Sequence, residues 1–219
     1  MRRLLRTVLR RLRRRRSIDG YLQEHAVRKL QLGAAENVRS GWLNTDLHGY
    51  GHGAELVYLD VRKRFPLPDA SFDFVFSEHM LEHLTYEDGQ RCLRECLRVL
   101  RPGGTIRTAT PSLEQLARLY DGGEVRERYV RWAVDTLEPE VRAYLPGVAV
   151  NNFFRSWGHR FIYDEDTLRH ALTEAGFVDI RPLCVGESPH PELAGLERHL
   201  GEAPEINEYE TFVLEARRP

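Results

Sequence analysis

An α/β fold built on a mostly parallel sheet is what this sequence predicts, on three observations. Short apolar runs end in a small-residue loop or an acid, at Gly33, Asp46 and Asp60. The stretch LDVRKRFPLPDASFDFVFSEHMLEHL sets a continuous, buried-type strand at 72–76 behind a Pro-broken linker, which fits a sheet covered on both faces. Amphipathic helical segments closed by glycine then alternate with further strands.

Composition bounds the architecture. With 219 residues and 42% hydrophobic content, the chain can bury one good core, so one domain plus an appendage is expected. A formal net charge of −1 hides an asymmetry: nine of the 32 basic residues and no acid lie in 1–16, leaving 23 basic residues against 33 acids in the body. Cys92, Cys96 and Cys184 make an odd count without framework spacing, which argues against disulfides and for a reducing compartment. Cys92 and Cys96 stand one helical turn apart and are expected to pack inward. No apolar run reaches the length of a membrane span or a signal-peptide core, so a cytoplasmic location is expected.

The chain opens, at residues 1–25, with a basic arm. Leu4, Leu5, Val8, Leu9 and Leu12 fall at helical spacing among arginines up to Arg16. Such a helix suits an anionic membrane surface, where each basic residue contributes about 1 kcal/mol. A solvated tail and nonspecific nucleic-acid contact are the alternatives, and no specific nucleic acid is expected. If the arm meets lipid, the protein is peripheral at the inner membrane face.

A strand at 27–32 runs into Gly33-Ala34-Ala35-Glu36-Asn37, a loop whose small residues let backbone approach a ligand closely. The next apolar element reaches its acid, Asp46, only 13 positions after Gly33. A dinucleotide fold places its ribose acid about 20 residues on, after a full helix, so a nicotinamide or flavin site is disfavoured. Asp46 and Asp60, ending successive strands, would line the same sheet edge as Gly33. Carboxylates there can accept from ribose hydroxyls and an exocyclic amine, which suits an adenosyl group, although a lone Asp at a strand end is commonly a turn residue.

Beyond the 72–76 strand, Thr85 and Asp88 form a variant capping box for a helix whose apolar face is Cys92, Leu93, Cys96, Leu97 and Leu100, ended by Pro102-Gly103-Gly104. A strand follows at 105–110. Ser112 and Gln115 open another helix, closed by Asp121-Gly122-Gly123. An insertion at about 124–160 carries Trp132, Tyr144, Phe153, Phe154 and Trp157, placed to cover an acceptor site or simply to form core. Asp164 caps a helix that stops at Gly176, and strands at 177–184 and 210–216 complete the alternation.

These segments resemble the class I S-adenosylmethionine-dependent methyltransferases of the methyltransferase type 11 kind. KLQLGAAENVRSGWLNTDL resembles the first motif and its following acid, LDVRKRFPLPDASFDFVFSEHMLEHL the third and fourth motifs, and LRECLRVLRPGGTIRTATPSL the succeeding helix, turn and fifth strand. The resemblance covers residue 27 to the C-terminus. It implies a Rossmann-like, mostly parallel seven-stranded sheet with one antiparallel strand near the C-terminus, in a domain spanning 26–219. It also implies S-adenosyl-L-methionine as cofactor, bound by Gly33, Ala34, Ala35, Asn37, Asp46, Leu47, Asp60, Val61, Ser77, Glu78 and His79. Where the family has a glycine pair, this chain has Ala34-Ala35, so the loop must avoid positive φ at Ala35 or accept strain.

Methyl transfer to oxygen or nitrogen calls for a base, and His79, His83 and His159, with an ordinary pKa of about 6.5, are the catalytic candidates. The acceptor expected is a small molecule, sugar or lipid-linked compound. Two alternatives come from other classes. One is a degenerate cofactor-fold protein that binds without turnover, motivated by Ala34-Ala35. The other is a zinc hydrolase, because His79-Met80-Leu81-Glu82-His83 matches H-x-x-E-H. That short match arises readily by chance, so no metal is expected and Glu82 and His83 are read as helix-capping and loop-positioning groups.

Overall fold

The computed structural model of the chain describes residues 2–48, 56–137, 141–199 and 203–219. Its strands are β1 (Lys29–Leu32), β2 (Leu43–Asp46), β3 (Leu56–Tyr58), β4 (Phe72–Glu78), β5 (Leu100–Pro111), β6 (Val178–Leu183) and β7 (Thr211–Arg217). They form one sheet in the order β3-β2-β1-β4-β5-β7-β6. Neighbours from β3 to β5 pair in parallel, and β7 runs antiparallel to both β5 and β6. The order reverses between β1 and β4, which opens a crevice at their carboxyl ends.

The helices are α1 (Arg2–Glu24), α2 (Tyr86–Val99), α3 (Leu113–Ala117), α4 (Glu124–Leu137), α5 (Pro146–Arg155), α6 (Glu165–Ala175) and α7 (Pro204–Glu210). Local chemistry sets their ends. Thr85 and Asp164 accept from Asp88 N and Thr167 N at the starts of α2 and α6, and Gly176 stops α6 at φ 103°. Each such N-cap stabilises its helix by about 1 kcal/mol. The helix expected from the leucine-arginine pattern runs beyond Arg16, because Ile18 and Tyr21 enter the core and the Tyr21 hydroxyl accepts from Lys29 N at 2.7 Å.

One sheet face buries Leu30, Val75, Ile106 and Leu214 against α2 and α6, with Cys92 and Cys96 packed inward as expected. The other face packs differently among the described residues. Trp42, Phe74 and Phe76 there meet Leu193 and Leu196 from the segment 184–199. Arg107 is fully buried on β5, reaching Glu197 at 2.6 Å and Glu215 of β7 at 2.8 Å. The inserted helices α4 and α5 build a separate small core around Tyr129, Ala133 and Phe153, joined by Ile206 of α7.

One local expectation is corrected. The Pro102-Gly103-Gly104 turn does not end α2; the helix closes at Val99, Leu100 already pairs with Phe72, and the next pair is Phe74 with Thr105, so 101–104 bulge within β5. Between β4 and α2, His79 takes φ 45° and Leu81–His83 forms a 3-10 turn. At the outer edge, β6 slips register between Val178 and Arg181, with Asp179 at φ 53°.

Candidate functional site

The crevice at the carboxyl ends of β1, β2 and β4 gathers the loop and acids singled out from sequence. Gly33 holds φ 63°, and a Cβ built there would lie 2.6 Å from Met80 Cγ, so only glycine lets the β1 loop pass beneath the β4 crossing. Ala35 takes φ 44°. The loop therefore accepts left-handed strain, which costs about 1–2 kcal/mol for a non-glycine residue. What holds it is Asp46: its Oδ2 accepts from Ala35 N at 3.0 Å, its Oδ1 from His48 N at 2.9 Å, and Ala34 N bonds Thr45 O at 3.0 Å.

These residues fit an adenosyl cofactor unevenly but adequately. An ionised carboxylate has about four acceptor positions, and the two backbone donors on Asp46 leave capacity for ribose hydroxyls. Asp60 is more heavily engaged. It accepts from Arg62 Nε at 2.8 Å, Arg62 Nη2 at 3.1 Å and Arg62 N at 3.2 Å, and pairs with Lys63 Nζ at 3.0 Å. Hydrogen bonding from Arg62 holds its carboxyl far below the usual carboxylate range. An amine at Asp60 would take the place of exposed Lys63. Asn37 N closes the loop on Ala34 O at 2.7 Å, Leu47 is exposed, and Val61 packs at the core margin.

Of the β4-end residues, Ser77 is buried and Glu78 is committed to the covering segment. Glu78 Oε1 accepts from Arg198 N at 2.6 Å and His199 N at 2.8 Å, and Oε2 lies 3.8 Å from Arg39. Burial pushes its carboxyl up to about 7 against those donors.

The three candidate histidines divide. His79 is buried, stacked on His199 at 3.8 Å, and its Nε2 lies 2.9 Å from Thr211 Oγ1. Because the Thr211 hydroxyl spends its proton on Asn207 Oδ1, we assign the proton of that contact to His79 Nε2. Burial, then neighbouring histidines, drive the His79 pKa well below the ordinary value, so the ring is neutral. His83 and His159 come together, ring centroids 5.0 Å apart and 67° to one another. Burial lowers both, His159 to about 4. His159 Nδ1 donates to Phe153 O at 2.7 Å, which leaves Nε2 with its lone pair. His159 also lines a cavity of about 210 Å³ with Phe154, Arg160, Phe161 and Ile162.

Glu82 does not cap α2; Thr85 does. It is wholly buried, its carbonyl accepting from Arg160 N and Phe161 N, so the loop-positioning part of the sequence reading stands. Its Oε2 accepts from Thr110 Oγ1 at 3.1 Å and its Oε1 has no hydrogen-bond partner. Burial pushes this carboxyl up to about 8. Two further groups, His199 and Glu210, lie against His79 and were not singled out from sequence. Neither belongs to a local motif, and only the 184–199 segment and the end of α7 bring them there.

Comparison with known proteins agrees with this layout. The methyltransferase domain family matches residues 34–108, from the loop after β1 to β5. A probable S-adenosylmethionine-dependent methyltransferase of Mycolicibacterium smegmatis is 40% identical over 76 residues, 35% of this chain and 25% of that protein. The ubiquinone/menaquinone biosynthesis C-methyltransferase UbiE of Pseudomonas putida is 29% identical over 132 residues, 59% of this chain and 46% of that one. The chain thus matches less than half the length of these curated relatives. Two solved structures share the fold: a SAM-dependent methyltransferase from Archaeoglobus fulgidus (TM-score 0.55, 17% identity, 99% of this chain and 94% of that one) and one from Thermotoga maritima titled a possible histamine N-methyltransferase (0.53, 16%, 100% and 97%). Strand order, the glycine loop closed by Asp46 and the matched motifs converge: the chain has the Rossmann-like fold of the class I S-adenosylmethionine-dependent methyltransferases and is similar to their methyltransferase domain over residues 34–108.

Proposed function

We propose that this chain transfers a methyl group from S-adenosylmethionine to an acceptor held beside His83 and His159. The observation that carries this reading is the closure of the β1 loop on Asp46, next to the crossing that leads into the histidine pair. When bound, the cofactor supplies a methyl on positively charged sulfur and leaves as a neutral thioether, so rate depends chiefly on alignment. Gly33, Ala34 and Ala35 bring backbone to the cofactor, Asp46 takes the ribose, and the chain from Ser77 to His79 borders the methyl. His79 acts through position, since its ring is buried, stacked on His199 and hydrogen-bonded through Nε2 to Thr211. Ala35 keeps the left-handed turn despite its Cβ, which favours a working loop over a binding-only fold.

The acceptor we favour is lipid-linked, among small-molecule, glycan and lipid candidates. Two features support it: α1 exposes Leu12 and Arg13 beyond the turn anchored by Ile18 and Tyr21, and one relative acts in quinone biosynthesis. This helix would lie on an anionic surface rather than cross it, since among the described residues no helix is long and apolar enough to span a membrane. Calorimetric titration with S-adenosylmethionine tests the assignment, and one site per chain is expected. Absence of binding by the folded protein would sink it.

A further inference from the structure

We infer that Glu82, His83 and His159 form a binding site for one divalent transition-metal ion of the zinc class, its fourth position open to the cavity beside Arg160. One nitrogen of each ring and one Glu82 oxygen already lie within 4.8 Å of one another. Tetrahedral zinc with bonds of about 2.0–2.2 Å needs its ligands about 3.4 Å apart, so the set must close by up to about 1.4 Å through side-chain rotation. The ring planes cross at 67°, so in-plane lone pairs from the two histidines can converge on one point. Glu82 Oε1 is wholly buried without a hydrogen-bond partner, with His79 Nδ1 3.5 Å away, and a buried acceptor left so costs free energy unless a ligand fills it.

Second contacts favour the same set. His159 Nδ1 donates to the Phe153 carbonyl at 2.7 Å, which fixes the tautomer and frees Nε2, while Glu82 Oε2 is oriented by Thr110 Oγ1. Two histidines, one carboxylate and a cavity of about 210 Å³ alongside match a three-ligand site with an exchangeable position rather than a closed structural site. Oxygen or nitrogen on an acceptor is the chemistry such a position takes.

The neighbouring group of His79, His199 and Glu210 also lies within 4.8 Å, but it does not converge. Its rings stack at 3.8 Å and 12°, which runs their lone pairs side by side, and His79 Nε2 faces Thr211. The H-x-x-E-H spacing is therefore split: His79 leaves the set, and His159 enters it from the loop that Glu82 itself anchors through Arg160 N at 2.7 Å. The site stands on its own geometry and does not need the methyl-transfer reading.

Titration of the full chain with Zn²⁺, and with Co²⁺ followed by visible absorption, tests it. One equivalent should bind, with cobalt bands of four- or five-coordination. His159→Ala and His83→Ala should each weaken Zn²⁺ binding at least about tenfold, and His199→Ala should leave it unchanged. Circular dichroism of each variant reads folding. No stoichiometric binding, binding unaffected in folded His159→Ala and His83→Ala, or loss in folded His199→Ala instead would overturn the site. S-adenosylmethionine titration of the same preparation reads the cofactor assignment separately.

Discussion

Ala35 N donates to Asp46 Oδ2 at 3.0 Å, so the loop at the end of β1 is held in a left-handed turn by the acid at the end of β2. One carboxylate therefore does two jobs, shaping the loop and presenting acceptors to whatever lies above it. Asp46→Ala should weaken S-adenosylmethionine binding by about 1.5–3 kcal/mol, the usual range for a lost charge-assisted bond. Calorimetry measures this, and parental affinity in the variant would remove Asp46 from the site.

Ala35→Gly probes the strain itself. Glycine accepts φ 44° without steric cost but is more flexible when unfolded, and the two terms partly cancel. We expect stability to rise by up to about 1 kcal/mol, because left-handed strain of about 1–2 kcal/mol exceeds the entropy term. Urea midpoints measure it, and a clear fall in stability would show that the turn costs nothing as it stands.

The strand ends and helix caps were legible because each is set by adjacent residues: Thr85 with Asp88, Asp164 with Thr167, Gly176 after Ala175. The cover on the second sheet face was not. Leu193 and Leu196 stand at helical spacing, yet this stretch forms turns rather than a helix, and their burial exists only once Trp42 and Phe76 are in place. The same physics hid His199 and Glu210. A bulge at 101–104 escaped for the opposite reason, since Pro-Gly-Gly is a strong local stop signal that pairing of Leu100 with Phe72 overrides.

Glu78 gives a pH signature on that second face. Its carboxyl rises by burial from an ordinary 4.5 to about 7, with Arg39 and the amides of Arg198 and His199 opposing and Glu197 adding to the shift. The folded state then binds the proton more tightly than the unfolded one. Stability from this group is present below about 4.5 and is lost as pH rises through 7. Glu78→Gln keeps an acceptor for both amides and should flatten the decline between pH 5 and 7.5 in urea titrations. Glu82 and Glu210, raised to about 8 and about 7, carry the same sign and leave a residual slope. An unchanged slope in the variant would mean that Glu78 is ionised throughout.

The arm offers a separate measurement. The full chain should co-sediment with anionic vesicles and be released by salt, since the attraction is screened over about 8 Å at physiological ionic strength. Leu5→Ser with Leu9→Ser should reduce binding only in part, because insertion and charge are separate contributions. A chain starting at Ser17, which keeps the Ile18 and Tyr21 anchors, should bind vesicles poorly. Equal binding by both chains would end the membrane reading.

The irregular course of β6 bears on how this protein meets copies of itself. An open sheet edge is a template for another chain's strand when its amides and carbonyls are evenly spaced. At the β6 edge, the register slip at Asp179 and the missing amide of Pro182 interrupt that spacing, and Arg181 adds a charge. Edge-to-edge aggregation from this side finds no continuous ladder to extend, so crowding at a surface would concentrate the protein without seeding growth through β6.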